Sequence, residues 1–222
     1  MVDHLSKKYI PILRRRREGK TDYRKRSILI VGRIPFVSLH ISGKNIIIQL
    51  IRPLIIGDST LVSSHSKQLS EFGWKGSLKS IPAAYLIGFS CGLKAIDMGI
   101  EKAIVRPSVK GFVRGSKIAA AMKGMKDAGV DVPFGEEGLP SEDRINGSHI
   151  ASYAKMLLED DKSLYASRFS NILKRGLKPD NCTQHFETVK NKVKSSKGKK
   201  NESKKATLKS SKGKKNESTT KK

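Results

Sequence analysis

The chain has 222 residues, of which 45 are Lys or Arg and 20 are Asp or Glu, so that its formal net charge is +25. Such an excess of positive charge would repel itself in isolation and therefore indicates a polyanionic partner. Only two cysteines are present, which supports neither a disulfide framework nor a thiolate metal site.

The positive charge is concentrated at the two ends of the chain. Residues 1–33 carry eleven Lys or Arg against three acidic residues, a net +8, and residues 190–222 carry fourteen Lys against two Glu, a net +12. The remaining +5 lies between them, which is typical of a nucleic-acid binder with two basic extensions. An acidic membrane surface is the alternative, but no aromatic residue follows Phe186 and the apolar runs are too short to span a bilayer. With no secretory signal after the first Met, we expect a cytoplasmic protein without a membrane partner.

Residues 1–27 are predicted to be a basic arm. The run from Arg14 to Arg26 is too densely charged to form a core, and Tyr9 and Tyr23 lie among the cations of the arm. Aromatic rings in such a setting can stack on splayed bases while the cations hold phosphates. The alternative is a solvated basic tail.

From residue 28 the pattern favours strands. Residues 27–31 and 36–41 are short and rich in β-branched or aromatic side chains. Residues 42–45 form a turn signal before the second arm of the meander at 46–51, and a third strand is predicted at 59–63. Together these segments predict an antiparallel meander.

The period then becomes helical. A helix is predicted between Pro82 and Gly99, and Ala84, Gly88 and Gly92 line one side of it, so that its backbone can lie close against the sheet. A buried parallel strand at 103–105, a helix at 115–128 with Ile118, Met122 and Met125 buried, and a last strand at 130–132 follow. The order β-β-β-α-β-α-β predicts an α/β core over residues 28–134 with a mixed sheet of about five strands.

Residues 135–187 are predicted to be a loop, ending at Gly147, followed by two docking helices. Ser148 is the predicted N-cap of the first helix, and Gly176 closes the second. The apolar faces consist of Ile150, Tyr153, Ala154, Leu157 and Leu158 in the first helix, and of Tyr165, Phe169, Ile172 and Leu173 in the second. Residues 188–222 are predicted to be a disordered tail, because the Lys/Ser-rich segment 195–203 recurs unchanged at 210–218.

Three local patterns bear on catalytic, phosphate-binding or metal-binding chemistry. Residues 88–92 match the G-x-S-x-G nucleophile elbow around Ser90, but they fall inside a helical repeat, so a hydrolase is the disfavoured alternative. Residues 111–117 fail the spacing of a phosphate-binding loop. A milder interpretation remains, in which Arg114, Lys117 and the start of a helix hold an RNA phosphate; a surface loop with scattered cations is about equally favoured. The five dispersed histidines indicate no metal site, and we expect no cofactor.

Trp74 lies in the Gly-rich segment 72–76, where it is either a core residue or a stacking surface for RNA.

Three classes of function are therefore compared. They are an RNA-binding structural protein, a hydrolase, and a general nucleic-acid chaperone in which the tails alone bind.

The arm sequence RRRREGKTDYRKR at 14–26 is more specific than its charge requires. It resembles the archaeal and eukaryotic branch of the ribosomal L-eighteen family. Motifs that are similar to the family follow in the same order: TLVSSHS at 60–66, FGWKG at 72–76, PAAYL at 82–86, AMKG to AG at 121–129, VPFGEE at 132–137 and LPSEDRI at 139–145. The resemblance covers roughly residues 7–158 and departs from the family at 106–114.

The resemblance implies a non-enzymatic structural constituent of the large ribosomal subunit. Its expected partners are 5S rRNA, large-subunit rRNA in the central protuberance and neighbouring ribosomal proteins, and its expected sheet is ribonuclease-H-like without the catalytic carboxylates. By position, it implies RNA contacts for Arg14, Arg15, Arg16, Arg17, Lys20, Tyr23, Arg24, Lys25 and Arg26, and more loosely for His65, Ser66, Trp74 and Lys75.

Overall fold

The arm begins with two helices. The computed structural model describes residues 12–106 and 113–196, so the first eleven residues, 107–112 and the repeat tail beyond 196 lie outside it. Helix α1 covers Arg14–Arg17 and helix α2 covers Tyr23–Gly32. The predicted strand at 27–31 is therefore wrong, because those residues belong to α2. A short apolar run does not by itself distinguish strand from helix, and Asp22 starts the helix by accepting hydrogen bonds from the backbone N–H groups of Arg24 and Lys25.

The core contains a mixed four-stranded sheet. Its strands are β1 (Phe36–Ile41), β2 (Ile46–Pro53), β3 (Asp58–His65) and β4 (Ile104–Arg106), in the spatial order β3-β2-β1-β4. The first three pair antiparallel and β4 pairs parallel to β1, so the meander and the parallel strand are confirmed.

The predicted fifth strand at 130–132 is not part of this sheet. Asp131 forms one isolated parallel bridge with Lys102, in which Ala103 N–H donates to the Asp131 carbonyl and Asp131 N–H donates to the Glu101 carbonyl. The pairing occurs before β4 begins, so it does not extend into a ladder, although Val130 and Val132 are buried. Ribonuclease-H-like topology stays a prediction.

One long helix packs against the sheet, and a second helix interlocks with it. Helix α3 is the short Gln68–Glu71, α4 covers Ile81–Asp97 and α5 covers Lys117–Asp127; Ser80 and Ser116 cap α4 and α5. The small residues of α4 were predicted to let its backbone lie close against the sheet. That prediction is wrong, since Gly88 and Gly92 face α5 instead. A Cβ on Gly88 would overlap the backbone of Ala121, and one on Gly124 of α5 would overlap the backbone of Tyr85 in return.

The segment after α5 is more helical than predicted. The predicted loop 135–147 contains the 3₁₀ turn Glu136–Gly138 and helix α6 (Glu142–Asn146). Helices α7 (Ser148–Asp160), α8 (Lys162–Arg168) and α9 (Ser170–Lys174) follow, then the 3₁₀ turn Pro179–Asn181. Ser148 is not the N-cap of α7. Gly147 is, with φ 80°, while the Ser148 hydroxyl donates back to the Asp143 carbonyl at 3.0 Å.

The apolar faces predicted for the docking helices meet in a small cluster of their own. Ala154, Leu157 and Phe169 are buried there, with Ile150, Tyr165, Ile172 and Leu173 packed against them. Tyr153 and Leu158, which the same prediction placed on this face, remain 46% and 36% exposed.

Residues 182–196 form the described part of a last helix, α10. Phe186, Val189 and Val193 are buried in the main core. The predicted start of the disordered tail at 188 is therefore corrected, because nine further residues belong to this helix and two of their side chains complete the core.

The tip of the β2–β3 hairpin is unusually apolar for a surface. Ile55 is 88% exposed and Ile56 fully so, and together with Leu54 they line an open groove against Val31 of α2. Isolated exposed apolar side chains are ordinary, but a contiguous group is not.

Candidate nucleic-acid interface

The first part of the interface is the arm surface, defined by Arg14, Arg15, Arg16, Arg17, Lys20, Tyr23, Arg24 and Lys25. All of these except the half-buried Tyr23 are exposed. Arg14 Nε donates to Glu18 Oε1 at 2.8 Å and Arg15 Nε donates to Thr21 Oγ1 at 2.8 Å. Exposed pairs of this kind contribute little stability. Both guanidinium groups therefore remain available to bind a phosphate.

The turn that joins α1 to α2 gives the arm surface a defined shape. Gly19 has φ 66°, and the backbone N–H groups of Lys20 and Thr21 both donate to the Arg15 carbonyl. Lys20 also pairs with Glu18 at 2.7 Å, and hydrogen bonds from Arg14 and Lys20 lower the pKa of Glu18. The arm surface is thus a folded turn between two helices rather than an extended basic strand.

Arg26 has a structural role that the sequence did not reveal. Its guanidinium binds the Asp58 carboxylate through two nitrogens, at 2.8 and 3.1 Å, and donates to the Leu54 carbonyl at 3.1 Å. Through these charge-assisted hydrogen bonds Arg26 anchors α2 to the β2–β3 hairpin, and its RNA contact stays a prediction.

This anchor leads to a prediction in which charge and geometry disagree. Replacing Asp58 with Ala raises the net positive charge, so charge alone predicts tighter RNA binding. We expect instead about threefold weaker binding, since the arm surface loses its attachment to the hairpin and a pair of this kind is worth up to about 1 kcal/mol. Filter binding to RNA measures the change. The matched control is Glu159→Ala in α7, which adds the same charge away from the arm; tighter binding by both variants would contradict the anchor.

His65 ends β3 and Ser66 follows it, and the two differ in burial. His65 is half-buried and its Nδ1 accepts a hydrogen bond from Lys67 N–H at 3.0 Å. Ser66 is fully buried; its hydroxyl donates to Asn45 Oδ1 at 3.1 Å and accepts from Ile46 N–H at 3.2 Å. Ser66 therefore joins the end of β3 to the start of β2, and it has no surface for the predicted RNA contact.

Of the two interpretations of Trp74, the structure confirms the core residue. Its side chain is only 4% exposed, its Nε1 donates to the Ser77 carbonyl at 3.2 Å, and its ring stacks on His185 with centroids 5.2 Å apart. A Cβ on Gly76 would overlap the indole ring, so the backbone also lies close against it. With its ring covered in this way, Trp74 supports a loop and offers no face to a base.

The loop that Trp74 supports carries three cations around the His185 ring, and we call this group the loop surface: Lys75, Arg175, His185 and Lys192. The Lys75 backbone N–H donates to His185 Nε2 at 3.1 Å, and Arg175 Nη1 donates to the Gly76 carbonyl at 2.7 Å. Burial lowers the pKa of His185, and the ammonium groups of Lys75 and Lys192 lower it further.

Only Lys75 of this group was predicted from the sequence. The other three residues lie about a hundred positions away: Arg175 and His185 were in the predicted region of docking helices, and Lys192 was in the predicted tail. A signal was present, since Cys182, Phe186, Val189 and Val193 recur at steps of four, three and four, which is helical spacing.

Arg114 and Lys117 do not join either surface. Arg114 is exposed and lies 3.7 Å from the Glu137 carboxylate. Lys117 begins α5 and is half-buried; its pKa is lowered by burial and then by the nearby ammonium of Lys79. Their contact with RNA stays a prediction.

The hydrolase alternative loses its geometric basis. Ser90 lies inside the continuous helix α4 and is 8% exposed, whereas a nucleophile elbow places the serine on a sharp turn between a strand and a helix. Within residues 12–106 and 113–196, no group of three metal-ligating side chains comes together, and no helix has the length and apolar character to cross a membrane.

Sequence comparisons give one consistent family. The model of a family described as ribosomal large subunit proteins 60S L5 and 50S L18 matches residues 7–111. Large ribosomal subunit protein uL18 of Methanothermobacter thermautotrophicus is 44% identical over 186 residues, which cover 84% of this chain and 95% of that protein. The uL18 proteins of Thermofilum pendens and Caldivirga maquilingensis are 41% and 42% identical, over 83% and 85% of this chain and 94% and 91% of their own lengths.

Proposed function

The chain belongs to the family of the large ribosomal subunit protein uL18, and on that premise we propose that it binds 5S rRNA and helps attach it to large-subunit rRNA in the central protuberance. Its role is that of a structural constituent of the large subunit, located in the ribosome in the cytoplasm, with rRNA and ribosomal proteins as partners. We propose no catalytic activity for it.

The observation that carries this proposal is the arm surface. It presents seven exposed Lys and Arg side chains and a half-buried Tyr23 on a folded turn. Arginine offers a planar fork that binds phosphates and guanines through two hydrogen bonds, so guanidinium groups at fixed positions can read the shape of a folded RNA. A disordered run of lysines attracts any polyanion but has no such register.

The mixed sheet supports the finer expectation of a ribonuclease-H-like topology. An antiparallel meander of β1, β2 and β3 with β4 added in parallel beside β1 is compatible with it. In the proposed function this sheet and its helices act as a rigid support, to which the Arg26–Asp58 anchor attaches the arm.

Paired binding curves test the proposal. We expect the affinity for 5S rRNA to fall steeply as salt rises, with log K linear in log[salt], because each neutralised phosphate releases counterions. The preference for 5S rRNA over a structured RNA of equal length should persist at moderate salt. Equal binding of the two RNAs under those conditions would favour the general nucleic-acid chaperone instead.

A further inference from the structure

We propose that the loop surface is a second RNA-binding site, which holds phosphates of an RNA segment different from the one at the arm surface, so that the protein bridges two segments. This inference rests on the proposed function and adds to it a specific site, built from Lys75, Arg175 and Lys192 around the His185 ring.

The two surfaces lie at opposite ends of strand β3. The arm is anchored at Asp58, the first residue of β3, whereas the loop follows its last residue, His65, through the short helix α3. Eight residues of extended strand span about 23 Å at roughly 3.3 Å per step. The intervening segment stays at that end, since Ser66 is bonded to the start of β2 and Trp74 N–H donates to the Leu69 carbonyl. No single side chain covers that distance, so each surface meets its own part of an RNA.

The cations of the loop surface are close together and lack acidic partners. In the described part of the chain, no salt bridge involves Lys75, Arg175 or Lys192. Lys192 Nζ lies 3.7 Å from where a Cβ would stand on Gly73, and Lys75 Nζ lies 3.8 Å from the equivalent point on Gly176. Like charges gathered on one surface repel each other until an anion binds between them.

The loop surface is also rigidly supported. Residues 72–76 are fixed by the stack of Trp74 on His185, by the hydrogen bond from Lys75 N–H to the same ring, and by the Arg175 guanidinium on the Gly76 carbonyl. Three separate parts of the chain therefore hold the cations in place before any ligand arrives, and a preorganised site loses less entropy on binding.

An RNA fits this surface better than an acidic protein does. Protein interfaces usually centre on apolar side chains, but those of this loop are turned inward: Trp74 is buried and Phe72 packs against the core. What remains exposed is a set of ammonium and guanidinium groups, which suits phosphates.

Directed hydroxyl-radical probing in reconstituted large subunits tests the proposal. An iron chelate is tethered to a cysteine introduced at Ser77, beside the loop surface, or at Ser27 in α2, beside the arm surface. Both positions are exposed, and the native Cys91 and Cys182 are buried, so the unmodified chain is the control for background labelling. We expect the Ser77 probe to cut rRNA at nucleotides distinct from those cut by the Ser27 probe. No RNA cleavage from Ser77, cleavage of the same nucleotides, or cleavage of a neighbouring protein instead would each overturn the proposal.

A pair of variants gives an independent readout. The double substitution Lys75→Ala and Lys192→Ala should weaken binding to a mixture of 5S and large-subunit rRNA about tenfold and lower the salt slope by about two, one per lost phosphate contact. Lys155→Ala with Lys162→Ala removes the same charge from exposed positions in α7 and α8 and should leave the slope nearly unchanged. Equal effects of the two pairs would overturn the site. If the probe tethered at position 27 cuts no 5S rRNA, the proposed function of the arm is refuted instead.

Discussion

Replacing Arg14, Arg15 and Arg24 together with Ala is expected to lower the affinity for 5S rRNA about a hundredfold and the affinity for unrelated structured RNA far less. Each arginine that makes a specific contact is worth roughly 1 kcal/mol or more, and three such losses correspond to a factor of about a hundred. Arg26 is left in place in this variant, because its removal would detach the arm and confound anchoring with contact. Paired binding curves on both RNAs across a salt series measure the effect.

Two controls separate recognition from charge. Changing the same three arginines to Lys keeps the net charge but removes the planar fork, so most of the loss on 5S rRNA should remain. Truncation after Ser196 removes eleven Lys and two Glu, a net +9, three times the charge lost in the Ala variant. It should weaken binding to all RNAs by a similar factor. If the truncation abolishes the preference for 5S rRNA and the arm variant keeps it, the recognition site lies in the tail.

Gly88→Ala is expected to destabilise the fold by about 3 kcal/mol. The added Cβ would overlap the backbone carbonyl of Ala121 in α5. A backbone group in a packed core cannot move aside as the end of a flexible side chain can, so the two helices must separate. The gain of about 1 kcal/mol in helix propensity from Gly to Ala is smaller than this cost.

Urea unfolding followed by circular dichroism measures the difference. Gly32→Ala in α2 is the matched control, because Gly32 is also helical and nothing lies near its position for a Cβ. It should be neutral or slightly stabilising. An unchanged midpoint for Gly88→Ala would mean that α4 and α5 are not held at the close approach described above.

The strands at 36–41, 46–51 and 59–63 were predictable because β-branched side chains alternate with clear turn signals. The run at 27–31 was not, since four consecutive apolar residues satisfy both periods and the deciding feature is the Asp22 cap. The partner of Gly88 and Gly92 was equally hidden. A stripe of small residues predicts a close approach, but it does not say which element approaches.

For the interface, the sequence groups residues whose chemistry is local. The arm surface is one continuous run, so its cations can be grouped from residues 14–25 alone, while their RNA contacts stay a prediction. The structural roles of Arg26 and Ser66 were hidden, because their partners, Asp58 and Asn45, are distant in the chain and only the fold brings them together. The loop surface required a contact between residue 75 and residues beyond 170, which no local pattern reveals.

The exposed tip of the β2–β3 hairpin has a consequence for the free chain during purification and storage. Ile55 and Ile56 project from the turn before β3, an edge strand in the described sheet, and such surfaces promote association of identical copies. The net charge of +25 opposes that association by repulsion between copies. Added salt screens the repulsion, with a Debye length of about 8 Å at 0.15 M, but leaves apolar attraction in place. High salt, which strips RNA from a basic protein, therefore also removes the main barrier to its aggregation.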